Sequence, residues 1–542
     1  MRSSLEARVA KVFSPIIMSR RDALLGALAI AAVPWNTARS ALATPPLVRQ
    51  SITGADFSPA TLESFKRAIR AMLALPPNDP RNWYRQAIIH VLDCPHANWW
   101  FLPWHRGYLL HFEEICRELS ADPKFALPFW DWTSTPRVPA ALFDDVLSPT
   151  HELYEESFET FRPKFETAIG DLWNGLTAAQ RDQLNQRGYA SVNDLWAKLE
   201  SYFSARAEAR AETREKPELP DWAMGEVSAE RVTAALAPTR FEDFGSTPSE
   251  NHHQRAILDT LESSPHNNIH NAVGGGPGFM SELLAPVDPI FWLHHANIDR
   301  LWDLWTTREQ RAGQRALPED TERWRKEPFL FFTPGESFSE RYVDTGELGY
   351  RYSEGFGAEM LKETPGAEIS QAPTSSPSAA KFEGEQVRAP LRTDAEASAA
   401  VRVPSDLLVA ARMPKKKGGA HSSAADAGHV QPELVAQVSL SPPKNHRAVR
   451  VLFFLNCSDL SPETTLSDPH YVGSVTFFGV HGTGHHTAQF TATLPLNDTL
   501  QRLAAAGEPV MNQVKLQGIA AKDGSETQAV DGALIQVSVK TV

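Results

Sequence analysis

Apolar residues recur at helical spacing through most of the first 350 residues and at strand spacing in the last hundred. Ser58-Pro59 reads as the start of a helix ahead of LESFKRAIRAMLAL, and NWYRQAIIHVL is an apolar helix ending near Leu92. An amphipathic helix is expected from His105 to about Leu119. Another should begin near Asp288 in DPIFWLHHANIDRLWDLW, with Asp288 as cap and Pro289 at its first position. Residues 150–250 are charged and helical and carry no recognisable chemistry. Beyond residue 435, RAVRVLFFLNCSD, YVGSVTFFGV, TAQFTATLPL and ALIQVSVKTV alternate apolar and polar positions between turns, the pattern of a β-sandwich. TPGAEISQAPTSSPSAAKFEGE and Ala410 to Val430 are linker-like, and Arg412 with Lys415 to Lys417 offers a protease easy access. The expected fold is mainly α, followed by a smaller all-β, sandwich-like domain.

The N-terminus adds an address. MSRRDALLGALAIAAVPW followed by Ala41-Leu42-Ala43 has the form of a signal peptide, and Ser19-Arg20-Arg21 resembles a twin-arginine signal. Its apolar run, Ala23 to Val33, is too short to span a bilayer. The mature chain is then expected to begin near Thr44, in a bacterial periplasm or outside the cell. The 542 residues suffice for two or three domains, and a formal charge of −13 argues against nucleic acid or an anionic membrane as partner. Three cysteines exclude a disulfide scaffold, and Cys116 and Cys457 read as buried apolar residues.

The histidines carry the chemistry. His266 and His270 lie four residues apart, about 40° around a helix, so both rings leave one face. His295 follows on the Asp288 helix, with Asp299 one turn on, placed to orient it. His294 lies about 100° away and cannot share its direction. Upstream, His96 sits in a loop, His105 on the next helix, and His90 on the preceding one is the natural third partner. Two sites of three imidazoles form a narrow signature: non-haem iron usually wants a carboxylate and structural zinc wants thiolates. A three-imidazole zinc hydrolase stays open for one site but does not explain two.

HANWWFLPWHR, with Glu113 downstream, and DPIFWLHHANID resemble the two copper signatures of the tyrosinase, catechol oxidase and haemocyanin (type 3 copper) superfamily, over roughly Arg49 to Tyr352. The resemblance implies a four-helix bundle holding two copper ions, with O2 as co-substrate. CuA would take His90, His96 and His105, and CuB would take His266, His270 and His295; His111 would be structural. Arg49 resembles the arginine that meets a closing tyrosine motif, here Gly349-Tyr350-Arg351-Tyr352, and Phe129-Trp130-Asp131-Trp132 also fits the family. Cys94-Pro95-His96 matches the spacing of a Cys–His thioether, implying a Cys94–His96 crosslink. The domains implied are 1–43 signal, 44–352 catalytic, 353–435 linker (partly disordered) and 436–542 C-terminal.

The resemblance further implies a bacterial-type tyrosinase acting on small phenols and catechols. Removing a phenol proton, whose ordinary pKa is about 10, needs a base. Asn267 after His266, with Glu262 upstream, resembles the relay associated with monophenol hydroxylation; Asn271 adds a polar contact. Catechol oxidase, o-aminophenol oxidase and a haemocyanin-like O2 carrier are the alternatives. The segment Phe279 to Leu284 should gate CuB, and the C-terminal domain resembles the one that covers the site in latent polyphenol oxidases. His481, His485 and His486 read as a polar turn, and a homo-oligomer stays open.

Overall fold

The computed structural model describes residues 45–203, 212–275, 278–329, 338–363, 380–413, 432–443, 449–478, 489–509, 512–522 and 530–542. The expected signal segment, Lys415 to Lys417 and His481, His485 and His486 lie outside them. Three early helices frame the first half: α1 (Pro59–Ala74), α2 (Trp83–Asp93) and α3 (Phe101–Ser120). Pro59 takes the first position of α1, where a missing N–H costs nothing. The Asn82 side chain accepts the Tyr84 N–H at 2.9 Å and so starts α2. Helix α3 begins one turn before His105, because Pro103 falls in a first turn that tolerates it. A short helix, Asn267–Gly274, carries His270, and a long one, Ile290–Arg311, carries His295. The long helix starts one position later than expected, with Pro289 rather than Asp288 at its cap, and Asp288 Oδ1 accepts the Ile290 N–H at 3.1 Å from just ahead of it.

The core between these helices is aromatic. Ten tryptophans are among the largest fully buried side chains, which accounts for the high tryptophan content. Phe112 of α3 stacks on Trp292 of the long helix at 3.5 Å and 8°, locking the two helices face to face.

The two ends of this region are tied by charge. Strand β1 (Leu47–Arg49) pairs in parallel with β2 (Tyr350–Tyr352), setting Arg49 opposite Tyr352. Arg49 is fully buried, donating to Glu113 at 2.7 Å, Tyr352 at 2.9 Å and Asp299 at 3.2 Å. Asp299 also accepts Arg106 Nε at 2.5 Å, Tyr350 at 2.7 Å and Tyr352 at 2.5 Å. Asp299 therefore does not orient His295, as its spacing suggested. Two guanidiniums and two phenols reach its oxygens, and desolvated charges take charged partners first.

The C-terminal region is a β-sandwich with two added helices. One sheet has the order β5-β10-β7-β8, from β5 (Ala397–Arg402), β7 (Val449–Leu455), β8 (Tyr471–Thr476) and β10 (Gln513–Lys522). The other runs β3-β11-β6-β9, from β3 (Lys381–Glu383), β6 (Leu434–Ser441), β9 (Phe490–Pro495) and β11 (Ala533–Thr541), with β4 (Ala389–Pro390) also on β11. Strands β3 to β5 lie in the stretch expected to be linker, so the sheets begin some fifty residues earlier than the expected boundary at 436. The short, polar-flanked strands hid the alternation there. No helix among the described residues is long and apolar enough to cross a membrane.

The sandwich packs directly on the His270 segment. Thr493 meets Leu258 and Ser263, Thr476 Oγ1 donates to Asn268 at 3.1 Å, and Lys540 pairs with Asp243. Glu226, buried on the helical side, accepts Tyr471 OH at 2.5 Å, the Ser474 N–H at 2.9 Å and Ser264 Oγ at 3.0 Å.

Replacing Arg49 by methionine leaves Glu113 and Asp299 short of a cation in a dry interior. The expected cost is about 3–5 kcal/mol in denaturant unfolding. A loss well under 1 kcal/mol would mean that water reaches the knot and that it does not close the domain.

Candidate metal centre

Helix α2, the loop after it and α3 bring His90, His96 and His105 into a near-equilateral triangle, with ring centroids 5.6, 5.6 and 5.5 Å apart. His90 Nδ1 lies 2.7 Å from the Leu283 carbonyl and His105 Nδ1 2.8 Å from that of Phe101. A carbonyl can only accept, so each ring carries its proton on Nδ1 and turns the Nε2 lone pair inward. The Nε2 atoms of all three are buried without a hydrogen-bond partner. His96 Nδ1 instead faces Cys94 Sγ at 3.4 Å.

The second trio is built the same way. His266, His270 and His295 have centroids 4.6, 5.0 and 5.3 Å apart. His270 Nδ1 meets the Met280 carbonyl at 2.7 Å, and its Nε2 lies 3.2 Å from that of His295. His266 Nδ1 is held by Asn267 Oδ1 at 2.9 Å, while His295 Nδ1 has no hydrogen-bond partner. His295 stacks on His105 at 4.3 Å and 8°, so the trios share a wall.

His294 belongs to this cluster as well. Its ring lies 4.9 Å from His270 and 5.3 Å from His266, within one ligand group. A 100° step does not carry it away, because the long helix is buried all round here and both faces meet the site. Trp132 Nε1 donates to His294 Nδ1 at 3.2 Å, which engages that lone pair and puts the proton on Nε2. His294 is thus the ring in the group whose lone pair is already spent.

Burial first, and neighbouring imidazoles after it, push His90, His96, His266, His270 and His295 well below their ordinary range, and burial alone takes His105 down to about 3. They are neutral rings, with the protons of His90, His105 and His270 held outward by carbonyls, and neutral imidazoles are the donor set for two soft-to-borderline metal ions and a poor one for hard cations. His111 stands outside every such group, its pKa lowered to about 4 by burial.

Glu262 and Asn267 flank the second trio. Both Glu262 oxygens accept the Ala97 N–H at 2.9 Å, joining the His266 segment to the loop after His96. Burial and then Asp259 raise its pKa well above the carboxylate range. Asn267 Nδ2 is buried with no hydrogen-bond partner, and Asn271 Nδ2 donates to the Asn267 carbonyl at 3.0 Å. The segment Phe279 to Leu284, expected to gate the site, contributes the Met280 and Leu283 carbonyls. The ring over the histidines is Phe478, just beyond β8. It stacks on His270 at 3.8 Å and 18°, and lies 5.4 Å from His96 and 5.7 Å from His266. Sequence reasoning missed it, because FF inside YVGSVTFFGV is indistinguishable from core strand.

Residues 78–308 match the family model for the common central domain of tyrosinase. Over that span the helical domain is similar to the tyrosinase/polyphenol oxidase family of type 3 copper proteins. The paired trios are its dicopper site. The chain is 29% identical over 322 residues to the chloroplastic (+)-larreatricin hydroxylase of Larrea tridentata, covering 55% of this chain and 47% of that one. It is 29% identical over 293 residues to the latent-form polyphenol oxidase of Prunus armeniaca, with 50% and 42% covered. A tyrosinase of Hahella sp. (strain CCB-MM4) is 26% identical over 334 residues, with 55% and 61% covered. The chain thus spans about half the length of the curated relatives it matches. Most of them are chloroplastic plant enzymes, which do not carry a bacterial-type assignment. The fold as a whole resembles latent aurone synthase (TM-score 0.56, 19% identity, 93% of this chain and 90% of that one). It also resembles latent apple tyrosinase (TM-score 0.54, 19% identity, 93% and 98%). Both share a helical domain followed by a β-sheet domain.

Because the folded chain holds its imidazoles neutral, their stabilising contribution is complete above their unfolded pKa near 6.5 and is lost as pH falls toward the folded values, about 3 for His105. Metal-free protein should lose stability from pH 6.5 to 5, at about 1.4 kcal/mol per pH unit for each imidazole titrating. Urea midpoints at the two pH values check this. No change would mean that the rings are solvated.

Proposed function

We propose that the chain is a copper-dependent phenol oxidase that oxidises o-diphenols to o-quinones with O2 and hydroxylates monophenols at the ortho carbon, as a tyrosinase does. The observation that carries this is the pair of buried three-imidazole clusters with inward-facing Nε2 atoms and one shared wall. A bound copper pair supplies the redox chemistry with O2. The chain's own residues hold, orient and exclude water. Leu283, Phe101 and Met280 keep the ring protons outward, and Asn267 keeps His266 in register.

Preference for tyrosinase over catechol oxidase rests on Glu262 and Asn267. Asn267 Nδ2 has no hydrogen-bond partner and can donate to a water, and the buried Glu262 carboxyl, held by the Ala97 N–H, stands in the segment just upstream. A carboxylate–water–amide relay can then take the phenol proton. Cys94 Sγ beside His96 supports a thioether between Sγ and a ring carbon, which would form as the S–H and C–H hydrogens are lost to O2 as two-electron oxidant and would lock that ring. The peptide spanning both residues is expected two hydrogens lighter than its sequence mass, and an unmodified mass would remove the crosslink.

The Phe478 ring occupies the volume an aromatic substrate needs over His270. The C-terminal domain therefore acts as an intramolecular lid, in keeping with the latent forms among its relatives. The test is oxygen uptake with L-tyrosine and L-DOPA by copper-loaded protein, intact, after limited proteolysis, and as Phe478→Ala. If the open state is a minor one, opening the site should raise L-DOPA turnover about tenfold or more. L-tyrosine uptake should accompany it and be lost in Asn267→Ala. Uptake with L-DOPA alone would make the enzyme a catechol oxidase. Silence throughout would leave an O2 carrier.

A further inference from the structure

A third cluster lies outside both trios. The strap 246–258 runs along the His96 loop: Thr247 O accepts the Trp99 N–H at 3.2 Å, His252 O and Gln254 O accept Asn98 Nδ2 at 3.0 and 2.9 Å, and Ala97 O accepts the Ala256 N–H at 2.6 Å. This register delivers His252 and His253 to Asp93, the last residue of α2. His252 Nε2 lies 2.9 Å from Asp93 Oδ1, and His253 Nε2 lies 3.8 Å from the same oxygen. The other Asp93 oxygen takes the Trp104 Nε1–H at 2.8 Å.

His253 is the anomaly. Its side chain is 0% exposed, yet neither ring nitrogen has a hydrogen-bond partner. Buried polar atoms are nearly always paired, so an imidazole kept dry and unpaired beside a carboxylate points to a missing ligand. The spacing suits a metal ion. Donors 2.0–2.1 Å from a tetrahedral centre stand about 3.3–3.4 Å apart, between the two separations seen, and all three donor atoms lie within 4.8 Å of one another. On the far side of His252, Glu327 Oε1 meets Nδ1 at 2.6 Å. A carboxylate behind a histidine is the arrangement that fixes its tautomer and turns Nε2 to a metal.

We propose that Asp93, His252 and His253 form a third metal site, separate from the copper pair, for a divalent ion of zinc's class, with Glu327 as the positioning residue behind His252. The donor set of two imidazoles and one carboxylate suits zinc and leaves a fourth position for water. Charge permits it. Without metal, burial opposes a charge on His252, but Asp93 and Glu327 outweigh it and push the ring up to about 9. A divalent ion replaces that one proton and balances the two carboxylates. Arg187, a cation whose charge is felt at His253, is engaged by the Cys94 carbonyl. The ion would pin the end of α2 to the strap and so brace the loop that presents Cys94 and His96.

The test takes the full chain, copper-loaded, equilibrated with zinc chloride and desalted, with zinc and copper counted together. One zinc per chain with both coppers retained is expected. His253→Gln should lose that zinc and keep the coppers, since removing this ring breaks no hydrogen bond. Zinc titration by calorimetry gives a second readout, in which Glu327→Gln should weaken binding about 10–100-fold. This second variant decides the matter should His253→Gln fail to fold. Zinc uptake matched by copper loss, no zinc uptake, or unchanged uptake in the variants would overturn the site.

Discussion

Six buried imidazoles stay neutral, and backbone carbonyls fix the orientation of three of them, His90, His105 and His270; the rest of the helical domain serves that constraint. The carbonyls of Met280 and Leu283 come from one segment and that of Phe101 from another, and a shift of an ångström in either would release a ring to rotate. Rigidity therefore has to come from outside the site. The stacked Phe112–Trp292 pair and the other buried indoles supply it by packing. The Arg49–Glu113–Asp299–Arg106 knot supplies it by charge, closing the first strand onto the last. Such a buried network adds little net stability over an apolar one, but breaking it is costly, which suits a part whose task is to hold register.

The β-sandwich enters the same site from the other side. Phe478 meets His270 through ring stacking, while Glu226 holds Tyr471 and Ser474 across the domain boundary. The two contacts differ in kind. The apolar ring loses only contact area when the domains part, whereas the Glu226 carboxylate must exchange two buried hydrogen bonds, from Tyr471 and Ser474, for water. The polar contact therefore sets how readily the lid opens, and the apolar one sets what its opening uncovers. Asp93, His252 and His253 add a further restraint where the His96 loop meets the strap, opposite in chemistry to Phe478 because it holds the loop by donor atoms.

Much of the site was legible from spacing. An i,i+4 histidine pair, a histidine on a capped helix and a second set around FLPWHR are local patterns, and local patterns survive folding because helix geometry is the same in every context. Asp299 and His294 mark the limit. Both lie on the helix that was foreseen, at the angles that were foreseen, but their partners come from Arg49, Arg106, Tyr350, Tyr352 and Trp132, up to 250 residues away in sequence. Which of several candidate partners wins is a matter of burial and charge that helix periodicity does not encode.

By itself the sequence determined the helical half, the sheet half beyond residue 435, and the six candidate ligands with their grouping into two trios, because helix and strand periods are local and each trio falls within one short stretch of chain. Tertiary structure alone decided that His294 joins the second trio, that the Phe279 to Leu284 segment contributes carbonyls and Phe478 the covering ring, and that β3 to β5 belong to the sandwich. It also decided that Asp93 meets a strap some 160 residues downstream. These contacts join segments with no common periodicity, and they form only because burying both segments together removes more apolar surface from water than burying either alone.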